Sequence, residues 1–170
     1  ITTAENMIFI NSRERRTGNF VFGFSEDGRR CLLAIAVSRG GIGDIDVKTI
    51  NGNNYLFMAG AVGRRAGIFK SCNLNTMQCR ETTFNDSNHI SRRFGGFSVN
   101  NEGTTIYFSH HGENGDLVGY ALEPQGGAFD LGDEQRRCSA INGPTLTSQM
   151  AFATGVEVSP DNSNIVYTTS

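Results

Sequence analysis

The sequence predicts an all-β fold, and three observations carry that expectation. Short runs rich in β-branched and aromatic residues recur along the chain, clusters of Asn, Asp and Gly separate them, and few windows show helical spacing without an interrupting Gly or Asn. One apolar run returns four times, as Met7-Ile8-Phe9, Tyr55-Leu56-Phe57, Ile106-Tyr107-Phe108 and Ile165-Val166-Tyr167. The steps are 48 residues from Phe9 to Phe57, 51 from there to Phe108 and 59 from there to Tyr167. A period of about 50 suits units of four short strands, the blades of a β-propeller, better than solenoid repeats of about 20–35 residues.

Each unit has strands A, B, C and D, counted from the axis outward. The first unit supplies B at 7–9, a polar loop at 13–19, C at 20–24 and D at 31–37, with no strand A ahead of them. The second supplies A at 46–50, the turn Asn51-Gly52-Asn53, B at 55–57, a loop at 62–67, C at 68–74 and D at 78–84. The third supplies A at 96–99, the turn Asn101-Glu102-Gly103, B at 106–108, a loop at 111–116, C at 117–122 and D at 138–141. Such turn residues accept left-handed backbone or hydrogen-bond their own main chain. Residues 146–154, the best helical candidate, read as a long loop with one helical turn that Gly155 ends. The fourth unit opens with A at 156–159, the turn Pro160-Asp161-Asn162 and B at 165–167.

Three, four, four and two strands make thirteen. Both ends supply a strand B, so they do not complement one another in a single blade, and a closed ring is not expected. The expectation is one domain, 1–170, a partial propeller of about three blades with open ends, in units near 1–45, 46–93, 94–154 and 155–170. It reads as a segment of a larger propeller or assembly, and a chain that begins at Ile1 reads as processed or partial.

The segments FSVNNEGTTIYFSHHGENGDLVGYALE (97–123) and VEVSPDNSNIVYTTS (156–170) resemble the Ser-Pro-Asp-Gly repeat of TolB-like and WD-type β-propellers. The resemblance implies a strand A ending in that turn, a strand B of alternating apolar residues and an Asn/Asp/Gly loop into strand C. The first copy lacks strand A, the second carries Asn51-Gly52 in place of the turn motif, and the Trp-Asp pair of the WD subfamily is absent.

Composition narrows the function. At 170 residues and a formal charge of −2, with 19% charged residues, the chain is neither a disordered polyelectrolyte nor a one-sidedly basic nucleic-acid binder. No apolar run approaches the roughly 20 residues that span a bilayer. Nor does a charged-then-apolar signal segment open the chain. Cys72 and Cys79 flank the turn between strands C and D of the second unit, where antiparallel neighbours bring thiols to disulfide distance. That bridge predicts a secreted or periplasmic setting. Cys31 and Cys138 each follow an Arg-Arg pair in strands D of different units; they read as buried thiols or as partners of cysteines elsewhere. The sequon Asn85-Asp86-Ser87 adds little in an Asn-rich chain.

Propeller connectivity sorts the charges. The B-to-C and D-to-A loops share one end and hold eight Arg against five acids, a balance of +3. The other end, with Glu26, Asp27, Glu102, Asp133, Glu134 and Asp161 against Arg29, Arg30, Arg136 and Arg137, comes to −2. The expected binding residues are Arg13, Arg15, Arg16, Arg64, Arg65, Arg92, Arg93, His110 and His111. Their guanidinium forks match carboxylate or phosphate, so the expected ligand is an acidic peptide or glycan. Solvated loop charges are the plainer alternative.

No metal site is expected. His110-His111 with Glu113 and Asp116 is a compact cluster, but adjacent strand residues point to opposite faces. Asp44-Ile45-Asp46 offers hard oxygen ligands without the rest of a calcium loop. No catalytic residue is assigned, since no G-x-S-x-G elbow occurs and GGIG at 40–43 lacks the Lys-Ser/Thr of a phosphate loop. The function that fits is an exported protein-interaction or scaffold module without its own catalysis or cofactor, its partner another protein or the rest of the propeller. A propeller-type hydrolase or lyase domain, or a glycan-binding propeller, is the alternative.

Overall fold

Asn51 and Gly52 both adopt positive φ, at 50° and 77°, and join a hairpin in which Ile50 pairs with Asn53. This two-residue turn matches the right-handed twist of the strands it links, and Asn-Gly is its preferred sequence. The same turn is made by Gly126 and Gly127, at 60° and 82°, with Gln125 paired to Ala128. Hairpins of this and longer kinds join the described strands within each sheet. The computed structural model describes residues 2–4, 7–14, 18–38, 41–62, 66–84, 94–110, 117–138, 153–159, 161 and 165–169.

Among these residues the chain forms fourteen strands in four antiparallel sheets, each a simple meander. The first sheet holds β1 (Thr2–Ala4), β2 (Met7–Glu14), β3 (Gly18–Ser25) and β4 (Cys31–Val37). The second holds β5 (Gly41–Ile50), β6 (Asn53–Val62), β7 (Ala66–Asn73) and β8 (Cys79–Phe84). The third holds β9 (Phe94–Val99), β10 (Thr105–His110), β11 (Leu117–Gln125) and β12 (Ala128–Cys138). The last pairs β13 (Ala153–Val158) with β14 (Ile165–Thr169).

The sheets pack face to face in chain order. Along β6, Leu56 and Met58 turn toward the first sheet and join Phe9, Val21, Ile35 and Val37. Phe57 and Ala59 turn the other way, against Phe97, Ile106, Phe108 and Phe129. β7 repeats this alternation, with Ile68 and Cys72 on one side and Phe69 on the other. The middle sheet is thus buried on both faces, which explains its near-continuous apolar runs. Phe9, Phe57, Phe69 and Phe108 are wholly buried, each worth about 1.5–3 kcal/mol in removed apolar surface.

Several expectations need correction. The first unit does have a strand A: β1 pairs with β2, so the first sheet is complete and the described strands number fourteen, not thirteen. Its brevity and its sequence Thr-Thr-Ala hid it. The outer strand of the third sheet is β12, at 128–138 rather than 138–141, because Gly126-Gly127 turns the chain directly after β11. β5 begins at Gly41, ahead of the expected 46. Ala153 and Thr154 belong to β13 rather than to a loop, and residues 146–152 lie outside the described residues. Phe108 is not the counterpart of Phe57. Ile106 and Phe108 occupy the positions of Leu56 and Met58, facing the preceding sheet, since a one-residue slip in register exchanges the two faces of a strand.

Candidate functional site

Most of the expected anion-binding residues, Arg15, Arg16, Arg64, Arg65, Arg92, Arg93 and His111, lie outside the described residues. Arg13 and His110 contribute backbone to the ends of β2 and β10, where they pair with Asn19 and Phe94. β12 adds to this end. Arg136 and Arg137 pair with Gly119 and Val118 at the start of β11, the end bordered by 111–116, and Arg136 is exposed. They were expected at the opposite, turn-bearing end. The turns there, at 26–30 and 101–104 with Asp161, keep Glu26, Asp27, Glu102 and Asp161 against Arg29 and Arg30, still −2.

The inner strands carry polar side chains where a strand between two cores would ordinarily be apolar. On β5, Ile45 faces the first sheet while Asp44 and Asp46 face the third. Asp44 accepts the Phe97 N–H at 3.1 Å and Asp46 accepts the Val99 N–H at 3.1 Å. One sheet further on, Ser98 occupies the position of Asp46, and its hydroxyl accepts the Val158 N–H at 3.3 Å. The first strands of the second, third and last sheets, β5, β9 and β13, are therefore stitched side by side, and β5 and β9 run in the same direction. Burial pushes both carboxyls up, that of Asp46 to about 6 even though Lys48 Nζ stands 3.8 Å away and opposes the shift. Glu157 lies close enough to raise both further.

Outer strands are clasped by charge. Glu81 on β8 accepts the Ser38 N–H and hydroxyl and pairs with Lys70 at 3.1 Å, while Lys70 also donates to the Ala36 carbonyl at 2.7 Å. On the other face of β8, Arg80 pairs with Asp130 at 2.9 Å and the Thr82 hydroxyl donates to the same carboxylate. Burial pushes both acids up, but these donors hold each below its ordinary value. Deeper in that interface the Ser71 hydroxyl donates to the Phe129 carbonyl and accepts the Phe129 N–H, both at 2.7 Å.

Chemically, these groups hold sheets together. Asp44 and Asp46 each commit an oxygen to β9, so Asp44-Ile45-Asp46 acts as a structural bracket. Among the described residues no three His, Cys, Asp or Glu converge as a metal site. None of the clasps was expected. A local signal existed only for the inner stitch, where Asp44 and Asp46 hold alternate positions of a strand whose neighbouring positions are Ile45 and Val47.

Cys72 and Cys79 stand opposite each other on β7 and β8 and are joined by a disulfide, as expected. Cys31 opens β4 as an exposed free thiol, not a buried one. Cys138 closes β12 instead, so the two Arg-Arg-Cys motifs mark opposite ends of their strands. The described residues contain no helix long and apolar enough to cross a membrane.

A different surface stands out on the first sheet. Phe20, Phe22 and Phe24 alternate along β3 on the side away from the second sheet, with ring centroids 5.9 and 6.3 Å apart. Ile8 and Ile10 continue the row on β2 and Leu32 on β4, and none of these belongs to either core cluster. The run Phe20-Val21-Phe22-Gly23-Phe24 is apolar at both phases, the sequence mark of a strand covered on two faces. No known protein-family model matches the chain, and no curated protein matches it either.

Proposed function

We propose that the chain is part of a β-propeller in an exported protein, and that it works as a protein-interaction module rather than as a catalyst. One observation carries this reading: successive antiparallel meanders lie face to face, with β5, β9 and β13 bonded side by side, β5 and β9 in parallel, and β1 in contact with β5, as first strands lie around an axis. The Cys72–Cys79 bridge supports an oxidising compartment, which is where structural disulfides persist. The end of the sheets bearing Arg136, together with Arg13, Arg15, Arg16, Arg64, Arg65, Arg92, Arg93, His110 and His111, is the surface we assign to an acidic peptide or glycan.

Spin-label distances between Ala34 on β4 and Gln135 on β12 test the architecture. Blades that fan out from an axis separate these outer strands by well over the roughly 20 Å of two stacked intersheet gaps. A distance of that stacked size overturns the propeller. Binding to an immobilised poly-Glu peptide tests the surface. Weakening by salt, and loss in the Arg64→Ala/Arg65→Ala variant, is the expected result. Salt-independent binding, or none, overturns it.

A further inference from the structure

The face of the first sheet that carries Phe22 occupies a defined place in the repeat. By ladder register, Ile8 and Ile10 hold the positions that Leu56 and Met58 hold in the second sheet and Ile106 and Phe108 in the third. In both later sheets those residues are buried against the sheet that precedes them in the chain. Val156 and Val158 of β13 are buried likewise against β9. The same interface therefore recurs three times, whereas on the first sheet no described strand covers it: Ile8, Phe20, Phe22 and Phe24 are only partly buried, and Ile10 and Leu32 are 39% and 49% exposed. No charged residue interrupts this face between Ile8, Ile10, Phe20, Phe22 and Phe24, and Ala34 and Ala36 leave β4 low and flat beside them. An uninterrupted apolar face of this kind marks a site of association.

We propose that this face is the docking surface for a further four-stranded antiparallel sheet, belonging to polypeptide other than the fourteen strands described. The proposal rests on the propeller reading and extends its repeated interface by one step. The occupant's chemistry follows from the face that already covers Leu56, Met58 and Ile68. It presents a large aromatic on its second strand, as Phe9 and Phe57 do, and uncharged apolar residues on its third and fourth, as Val21, Leu33 and Ile35 do. Its first strand carries an Asp or Ser whose oxygen accepts the Thr3 N–H of β1, because Thr3 holds the position of Val99 and Val158, which are bound that way by Asp46 and Ser98.

A photo-reactive benzoylphenylalanine placed at Phe22, in the protein made by its own cells, tests the proposal. The expected cross-linked peptide comes from outside residues 1–170 and shows alternating apolar strands separated by Asn, Asp or Gly turns. Phe22→Asp should lower the co-purification of that segment roughly tenfold or more. A cross-link to residues 1–170 of a second copy, to lipid, or to nothing overturns it. Retention of the Cys72–Cys79 bridge by intact mass, and of the β-sheet circular dichroism spectrum, shows that each variant still folds. A stacked spin-label distance defeats the propeller reading separately, so the two failures are distinguishable.

Discussion

The first and second sheets share one blueprint: four strands, simple hairpins, aromatic residues on the inner two of those strands. They differ in what surrounds them. The second has a neighbour on each side, so Leu56, Phe57, Met58, Ile68 and Phe69 are all wholly buried. The first has a described neighbour on one side only, and Phe9 and Val21 are buried while Ile10 and Leu32 face water. Apolar content alone does not make a core; the same alternating pattern becomes interior or surface according to which sheet lies against it. Polar groups follow suit. Glu81 and Asp130 are spent in clasps between sheets, whereas Asp27 lies in an exposed turn, held below its ordinary pKa by hydrogen bonds from Ser25 and the Arg29 N–H.

Truncation sets the two regions furthest apart. Phe57→Ala opens a cavity between the second and third sheets and should cost about 3–5 kcal/mol in urea denaturation. Phe22→Ala, on the face that no described strand covers, should cost under about 1 kcal/mol in residues 1–170 by themselves, and more wherever the proposed sheet is docked on it. A loss equal to that of Phe57→Ala in residues 1–170 by themselves would mean that this stretch already covers the face and leaves no room for a docked sheet.

A pH titration of stability probes the inner stitch. Because the folded Asp46 carboxyl titrates at about 6 and an unfolded one near 3.8, the unfolded chain loses its proton first, and stability falls as pH rises between those values. Asp46→Asn cannot ionise. It should match the wild type below pH 4 and gain on it progressively by up to about 3 kcal/mol by pH 7. Glu81 and Asp130 act with the opposite sign: their lowered pKa values add stability above the unfolded pKa that is lost on acidification. A pH-independent difference between Asp46→Asn and wild type would remove the buried-carboxyl account.

Cys79→Ser opens the link between β7 and β8, and the short loop it closes is worth about 2–3 kcal/mol. Since β8 clasps both neighbouring sheets through Glu81 and Asp130, hydrogen exchange should rise at β8 and leave β2 and β3 unchanged. A uniform rise would show that the bridge supports the whole fold instead. Smallest of all, Arg80→Ala removes a pair whose Arg is about half exposed, and should cost about 1 kcal/mol or less.

Much of this architecture was legible because hairpins are local. Asn51-Gly52, the turn at 101–103 and the Cys72/Cys79 pairing each depend on residues a few positions apart, and turn chemistry writes them directly. β1 was not legible: Thr-Thr-Ala bears no apolar alternation and becomes a strand only because β2 offers it an edge. Gly126-Gly127 was overlooked, which displaced β12 by ten residues and sent Arg136 to the wrong end of its sheet. The phase of Phe108 was beyond local reading, since Ile106-Tyr107-Phe108 suits either face until the pairing of Val99 with Ile106 decides. The candidate site was less legible still. The Asp46 and Ser98 stitches join residues 53 and 60 positions apart, and no short window contains both partners.

The meander connectivity has a consequence for how the molecule comes to be. Each described sheet is drawn from one continuous stretch of chain and touches mainly the sheets before and after it, so its hairpins are local while the seams between sheets join residues some 50–60 positions apart. Stability in such an array is approximately a sum over units and the seams between nearest neighbours. A chain emerging from the ribosome carries the hairpins of its first sheet before the second is synthesised, but Phe9 and Val21 leave water only when Leu56, Met58 and Ile68 arrive, so each seam closes one sheet late.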